Sequence, residues 1–456
     1  MASTQLEIRK GKAPGGLCVR LVADRATRDL KDSYDLASAT VTLRLPSAYP
    51  EQDDLCRRAA GKLANYIRTL ACGSVHVQAV GITRHRVWEF VEGLAIALVG
   101  GEWSRKTKLT TRRVVLYVPS RLWDAGAWDR IQALREALEG SRWLVTAPPN
   151  EQGPEQLALQ TQSLMQDVPG VTVTTYGDGW LQAERFHLLR AVAAAGRPPV
   201  LIHAHYKPAN RRTRRPRIVL VGKGVTFDSG GLDIKPAASM LEMKRDMAGA
   251  AAVMAVLRYA ARRRLPLEIH ALAPAVENLV DAQAMRPSDV YVARNGLTVE
   301  ITNTDAEGRL ILADTLAWAG QTLQPDITVD LATLTGAATM VAGWHTVVVG
   351  KDTPTKTQIL DAAMRSGERA IGLPLWAEYD RELRSDIADW KNSSNTRNAG
   401  TISGGAFLAK FAPDNWQHLD IAANAWTSSR RDYLPLGATG AGVRTLAYWL
   451  ESLVAR

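Results

Sequence analysis

Val221-Gly-Lys-Gly-Val-Thr-Phe-Asp-Ser-Gly-Gly-Leu-Asp-Ile-Lys-Pro236 starts as the end of an apolar run and becomes a glycine-rich, charged turn. Arg217 to Val221 reads as a buried strand. In open α/β sheets, ligand sites lie beyond the carboxyl ends of the strands. Gly224, Gly230 and Gly231 permit backbone approaches that larger residues resist. The segment continues to Met243-Lys-Arg-Asp-Met-Ala-Gly249, the start of a helix expected over Met243 to Arg263. Asp228 and Asp246, with Lys223 and Lys235, therefore fall in one neighbourhood. A phosphate-binding loop fits poorly, because GxxxxGK[ST] closes on Gly-Lys and here Gly222-Lys223 opens the loop. A plain Lys223–Asp228 ion pair is the structural alternative.

Outward from this stretch, strands and helices alternate. Strands are expected at Pro199 to His205, Leu267 to Leu272 and Ile327 to Leu331, and a helix at Leu310 to Ala319. This pattern predicts a mixed or parallel sheet covered on both faces. Residues 1–125 carry further strands (Ser38 to Leu45, Val75 to Gly81, Val114 to Val118) and two amphipathic helices (Glu51 to Leu70, Arg86 to Val99). Asp124 to Leu144 reads as one long helix, ended near Pro148 and Pro149. The expected organisation is thus an N-terminal α/β domain at 1–125, a linker helix at 126–146, and a larger α/β domain with a central mixed sheet at 147–456.

Composition limits the chemistry. The chain has 456 residues and three cysteines, Cys18, Cys56 and Cys72, too few for a disulfide scaffold or a cysteine-rich zinc module. No HExxH occurs. Any metal must sit mostly on carboxylates. No uncharged apolar run reaches the ~20 residues of a membrane span, and no secretory signal is visible, so a cytoplasmic location is expected. The net charge is +10. Residues 1–146 hold 23 Lys and Arg against 15 Asp and Glu, so the basicity lies mainly there. Arg105, Lys106, Lys108, Arg112 and Arg113, with the stretch Arg211 to Arg217, raise nucleic-acid binding as a second function. Such runs are more often solvated faces, and neither aromatic interleaving nor a helix-turn-helix accompanies them.

A second segment, Asn303-Thr-Asp-Ala-Glu-Gly-Arg-Leu310, places Asp305, Glu307 and Arg309 two residues apart. In an extended chain these three would face one side. Carboxylates so close repel unless a positive charge lies between them, and hard divalent ions favour oxygen ligands. Alternatively the segment is a polar turn whose Asp305 or Thr304 caps the following helix.

Together these segments closely resemble the signatures of the leucine aminopeptidase (cytosol aminopeptidase) family of di-metal exopeptidases. The similarity continues through Asp330-Leu-Ala-Thr-Leu-Thr-Gly336 and His418-Leu-Asp-Ile-Ala422. The resemblance implies two divalent ions per subunit, manganese or zinc. Lys223, Asp228, Asp246 and Glu307 would hold the tighter ion. Asp228, Glu307 and Asp305 would hold the more exchangeable one. Lys235 and Arg309 would be catalytic, the first at the oxyanion and the second holding a bicarbonate general base. Met243, Asn303, Ala306, Thr333, Leu334, Gly336 and Ala422 would meet the substrate, a peptide with a free N-terminus. Ala425, where some members have Met, would widen the first pocket unless Trp426 compensates. The resemblance also implies a homo-hexamer, a dimer of trimers. The loop near Asn395 to Asn398 departs from the family's glycine-rich form. His203 and His205, at ligand-like spacing on an expected strand, match none of the family's metal positions and read as core or surface histidines.

Overall fold

The computed structural model describes residues 5–10, 17–24, 31–35, 40–46, 52–69, 74–80, 83–100, 113–209, 216–394, 396 and 398–455. Most of the basic positions singled out above, Arg105 to Arg112 and Arg211 to Arg215, lie outside these residues, as do Asn395 and Arg397. The chain divides into two compact units: Met1–Glu139 with Thr427–Thr439, and Gly140–Trp426 with Gly440–Arg456.

The first unit is a six-stranded mixed sheet. Its strands are β1 (Gln5–Lys10), β2 (Leu17–Asp24), β3 (Lys31–Asp35), β4 (Thr40–Pro46), β5 (Ser74–Val80) and β6 (Arg113–Val118), in the order β1-β6-β5-β2-β4-β3. Helices α1 (Gln52–Thr69) and α2 (Arg84–Leu98) bury Leu63, Ile67, Phe90 and Leu94. Helix α3 (Ala125–Thr146) contains the division between the two units.

The second unit is built on a nine-stranded mixed sheet. Its strands are β7 (Val171–Tyr176), β8 (Val200–Tyr206), β9 (Arg217–Gly222), β10 (Gly224–Asp228), β11 (Glu268–Asn278), β12 (Ile327–Ala332), β13 (Thr346–Val349), β14 (Ala370–Leu373) and β15 (Trp416–Asp420). The order is β14-β13-β15-β12-β9-β11-β8-β7, with β10 also on β11. Strands β15, β12, β9, β11 and β10 run parallel. Ile218, Val219, Leu220 and Val221 of β9 are completely buried, as expected for a central strand covered on both faces. Because the five strands share one direction, Gly222, Asp228, Asn278, Ala332 and Asp420 all end at one edge. That edge carries the site.

Two local expectations are corrected. The helix expected from Met243 is broken: a 3₁₀ turn spans Met243–Arg245, and helix α4 (Ala248–Arg262) starts after Asp246 and Met247. Asp246 thus precedes the helix and does not lie on it. The break lets the backbone of Lys223 serve the helix start, since the Ala250 amide, otherwise an orphan donor, bonds to the Lys223 carbonyl at 2.9 Å. Residues 305–309 are not extended either. They form a turn that enters helix α5 (Gly308–Trp318), with Glu307 at the N-cap and no side-chain capping bond. Neither Thr304 nor Asp305 caps the helix.

Candidate metal centre

Lys223 follows the last residue of β9. Its Nζ stands 2.7 Å from Asp246 Oδ2, 2.7 Å from Glu307 Oε1 and 3.1 Å from the Thr333 carbonyl. The Lys223–Asp228 pairing considered from sequence is replaced by these contacts. Helix α5 can begin this close because residue 308 is glycine: a Cβ there would lie 2.6 Å from Lys223 Cε. Asp228 ends β10, and its Oδ1 accepts from the Gly230 amide at 2.8 Å and from Asn278 Nδ2 at 2.9 Å. Gly230 has φ +89°, a conformation that favours glycine. The turn then brings Lys235 back over the centre. Its Nζ lies 2.8 Å from Asp228 Oδ2 and also bonds Asp305.

The centre therefore gathers four carboxylates and two lysines, supplied by residues 223 to 307. Ligand oxygens of Asp228, Asp305 and Glu307 lie within 4.8 Å of one another. Burial raises the Glu307 carboxyl above its usual range, and the neighbouring Asp228 raises it further. Asp246 is raised by the same two causes, partly offset by Lys223. Burial works against the Lys223 ammonium, but Asp246, Glu307 and Asp228 outweigh it and raise its pKa. Lys235 behaves likewise, with Asp228 the largest opposing charge.

The donor set suits divalent cations. Asp246 Oδ2 and Glu307 Oε1 are buried and both face the Lys223 ammonium at 2.7 Å. Hard carboxylate oxygens gathered in one buried place match the preference of manganese, magnesium or zinc carboxylate sites.

Beside the centre lies a cleft of about 620 Å³. Met243, Asn303, Ala306, Thr333, Leu334, Gly336 and Ala422, all singled out in the sequence, line it together with Lys223, Asp228, Lys235, Asp246, Asp305 and Arg309. Ala425 is buried and, with Trp426, is not among the lining residues. Arg309 donates Nη1 to the Asn392 carbonyl at 2.7 Å, while its buried Nε has no hydrogen-bond partner. Burial lowers the Arg309 pKa to about 10.

Three supporting residues were missed in the sequence. Asn278 bridges Asp228 and the Thr304 carbonyl. Asn392, completely buried, accepts from the amides of Thr302 and Asn303 and donates to the carbonyls of Asn303 and Ala306. Asp420 accepts from the amides of Leu334 and Ala422 and from Thr335 Oγ1. Each acts on a segment distant in sequence, so no local spacing reveals it.

Residues 139–447 match the model of the cytosol aminopeptidase family, catalytic domain. A Syntrophotalea carbinolica protein named "Probable cytosol aminopeptidase" is 44% identical over 330 residues, which cover 72% of this chain and 65%, just under two thirds, of that relative. A Wolinella succinogenes protein of the same name is 35% identical over 436 residues, covering 91% of this chain and 88% of the relative. Among solved structures, the bottromycin maturation enzyme BotP in complex with Mn aligns at a TM-score of 0.84 with 30% identity, covering 96% of this chain and 99% of that one. With the family model spanning most of the second unit and the fold matching over nearly the whole length, the chain belongs to the cytosol aminopeptidase family.

Proposed function

We propose that this protein is a metal-dependent aminopeptidase that removes the N-terminal residue of peptides. The carrying observation is the four-carboxylate, two-lysine centre in the wall of the cleft, with two buried carboxylate oxygens converging on Lys223 Nζ. Lys223, Asp228, Asp246, Asp305 and Glu307 would hold two divalent ions, manganese or zinc. Such a pair lowers the pKa of bound water and supplies a nucleophile near neutral pH. Lys223 ligates only as the neutral amine, so metal uptake there releases a proton.

Lys235 sits at the cleft side of the centre, held by Asp228 and Asp305. From there its ammonium group would donate to the oxyanion that develops as the peptide carbonyl is attacked. Arg309, lining the cleft with an unpartnered Nε, would hold bicarbonate as the proton acceptor. Asn303, Ala306, Thr333, Leu334, Gly336, Met243 and Ala422 would seat the N-terminal side chain and backbone. A homo-hexamer belongs to the same proposal. No described helix is long and apolar enough to cross a membrane.

The test is turnover of aminoacyl-p-nitroanilides and dipeptides, before and after exhaustive chelation and with manganese or zinc restored. Activity that depends on added metal and requires a free α-amine supports the proposal. Undiminished activity after chelation, or equal cleavage of N-acetylated substrates, overturns it.

A further inference from the structure

Among the described residues, four cations line the cleft: Lys223, Lys235, Arg245 and Arg309. Three of them are engaged at the centre. Lys223 is buried against Asp246 and Glu307, Lys235 is held by Asp228 and Asp305, and Arg309 is buried and gives its Nη1 to the Asn392 carbonyl. Arg245 has no part in the reaction proposed above. It ends the 3₁₀ turn Met243–Arg245, between Met243, which lines the cleft, and Asp246 of the centre.

The backbone at Arg245 is fixed by its neighbours. The Arg245 amide donates to the Glu242 carbonyl at 3.0 Å, the Asp246 amide to the Met243 carbonyl at 3.3 Å, and Lys244 Nζ to the Thr146 carbonyl at 2.9 Å. The guanidinium is held more loosely. Its Nη1 stands 3.3 Å from Glu242 Oε2, with 23% and 36% of the two side chains exposed. Glu242 is not among the cleft residues. An ion pair this open to water contributes little, so a carboxylate arriving in the cleft can replace Glu242. Guanidinium then binds it through two parallel N–H donors.

The position of Arg245 narrows which carboxylate this is. Met243, Ala306, Leu334 and Ala422 make the proposed seat of the N-terminal side chain apolar, and an unpaired charge there is costly. The scissile bond lies at the centre in the proposed reaction. The second residue of the peptide spans about 3.5 Å and so stays close to the centre, beside a residue that adjoins Asp246. Resting on the aminopeptidase reading, we propose that Arg245 is a specificity-determining residue that binds a carboxylate on the second residue of the substrate. The free C-terminus of a dipeptide and an acidic side chain both supply that group.

The test is kcat/KM for leucine release from Leu-Gly, Leu-Gly-amide, Leu-Glu-amide and Leu-Gln-amide, by the metal-loaded full-length protein and its Arg245→Gln and Arg245→Lys variants. The ratio of Leu-Gly to Leu-Gly-amide reads the terminal carboxylate, and that of Leu-Glu-amide to Leu-Gln-amide reads the side chain. Each ratio cancels changes in metal loading or folded fraction. Arg245→Gln is expected to lower one of them about 10-fold, the scale of a hydrogen bond to a charged group. Arg245→Lys, which keeps the charge, is expected to restore part of the loss. Two ratios equal to wild type in Arg245→Gln overturn the inference and leave the aminopeptidase reading standing. A wild type that releases leucine from none of the four overturns both.

Discussion

Asn278 Nδ2 and Asp228 Oδ1 are joined by a 2.9 Å hydrogen bond, and the same nitrogen reaches the Thr304 carbonyl at 3.1 Å. One buried amide thus orients a carboxylate of β10 and fixes the turn that carries Asp305 and Glu307. Replacing Asn278 by Ala should weaken metal binding about 10–100-fold, the usual cost of losing such a support. The metal concentration giving half-maximal activity measures it, and an unchanged value would remove Asn278 from the centre's support.

Lys235→Ala should fold and lose about 10²–10³ in kcat, the typical cost of one oxyanion donor. Lys235 also offsets the charge of Asp228 and Asp305, so metal content is measured alongside turnover. Wild-type kcat at full metal loading would exclude the oxyanion role.

Asn392→Ala should act differently. Its amide holds Asn303 and Ala306, and its backbone carbonyl, kept in the variant, receives Arg309. Buried partners left without hydrogen bonds cost about 1–3 kcal/mol. The expected result is a lower melting temperature and a raised KM, because Asn303 and Ala306 line the cleft. A melting temperature equal to wild type would contradict this.

Asp314 gives a pH-dependent prediction. It is completely buried on α5 and accepts from the amides of Leu189 at 3.1 Å and Arg294 at 2.9 Å. Burial pushes its pKa up to about 7, although those amides oppose the shift. Its folded pKa exceeds the unfolded value of 3.8, so the folded chain binds the extra proton between them. The stabilising contribution is therefore complete below the unfolded pKa and is lost as pH rises through about 7. Urea midpoints of wild type relative to Asp314→Asn should fall from pH 5 to pH 8. A constant difference would show that Asp314 does not titrate in this range.

The residue types of the centre were readable because each lies in a short, distinctive run: Lys223 to Lys235, Met243 to Gly249, and Asn303 to Leu310. The alternating strands and helices likewise announced the mixed sheet. Backbone direction within the runs was not readable. Asp305, Glu307 and Arg309 looked like one face of an extended chain, yet Glu307 is already at a helix cap, because a helix start has no hydrophobic period of its own. The helix pattern over Met243 to Arg263 likewise hid the break at Asp246. Asn278, Asn392 and Asp420 were invisible for another reason. Their partners include groups far apart in sequence (Asp228, Thr304, Leu334, Asn303) that only the fold brings near, and any polar residue can make such bonds.

The parallel run of β15, β12, β9, β11 and β10 has an evolutionary consequence. Chemistry is confined to the loops leaving one rim of the sheet, so the loops at the other rim are released from catalytic constraint. The connection from β8 to β9, with its Arg-rich composition, is one such loop. Its length and charge can change without disturbing the chemistry at the other rim. A scaffold of this kind can gain a second property at one rim while keeping its first at the other.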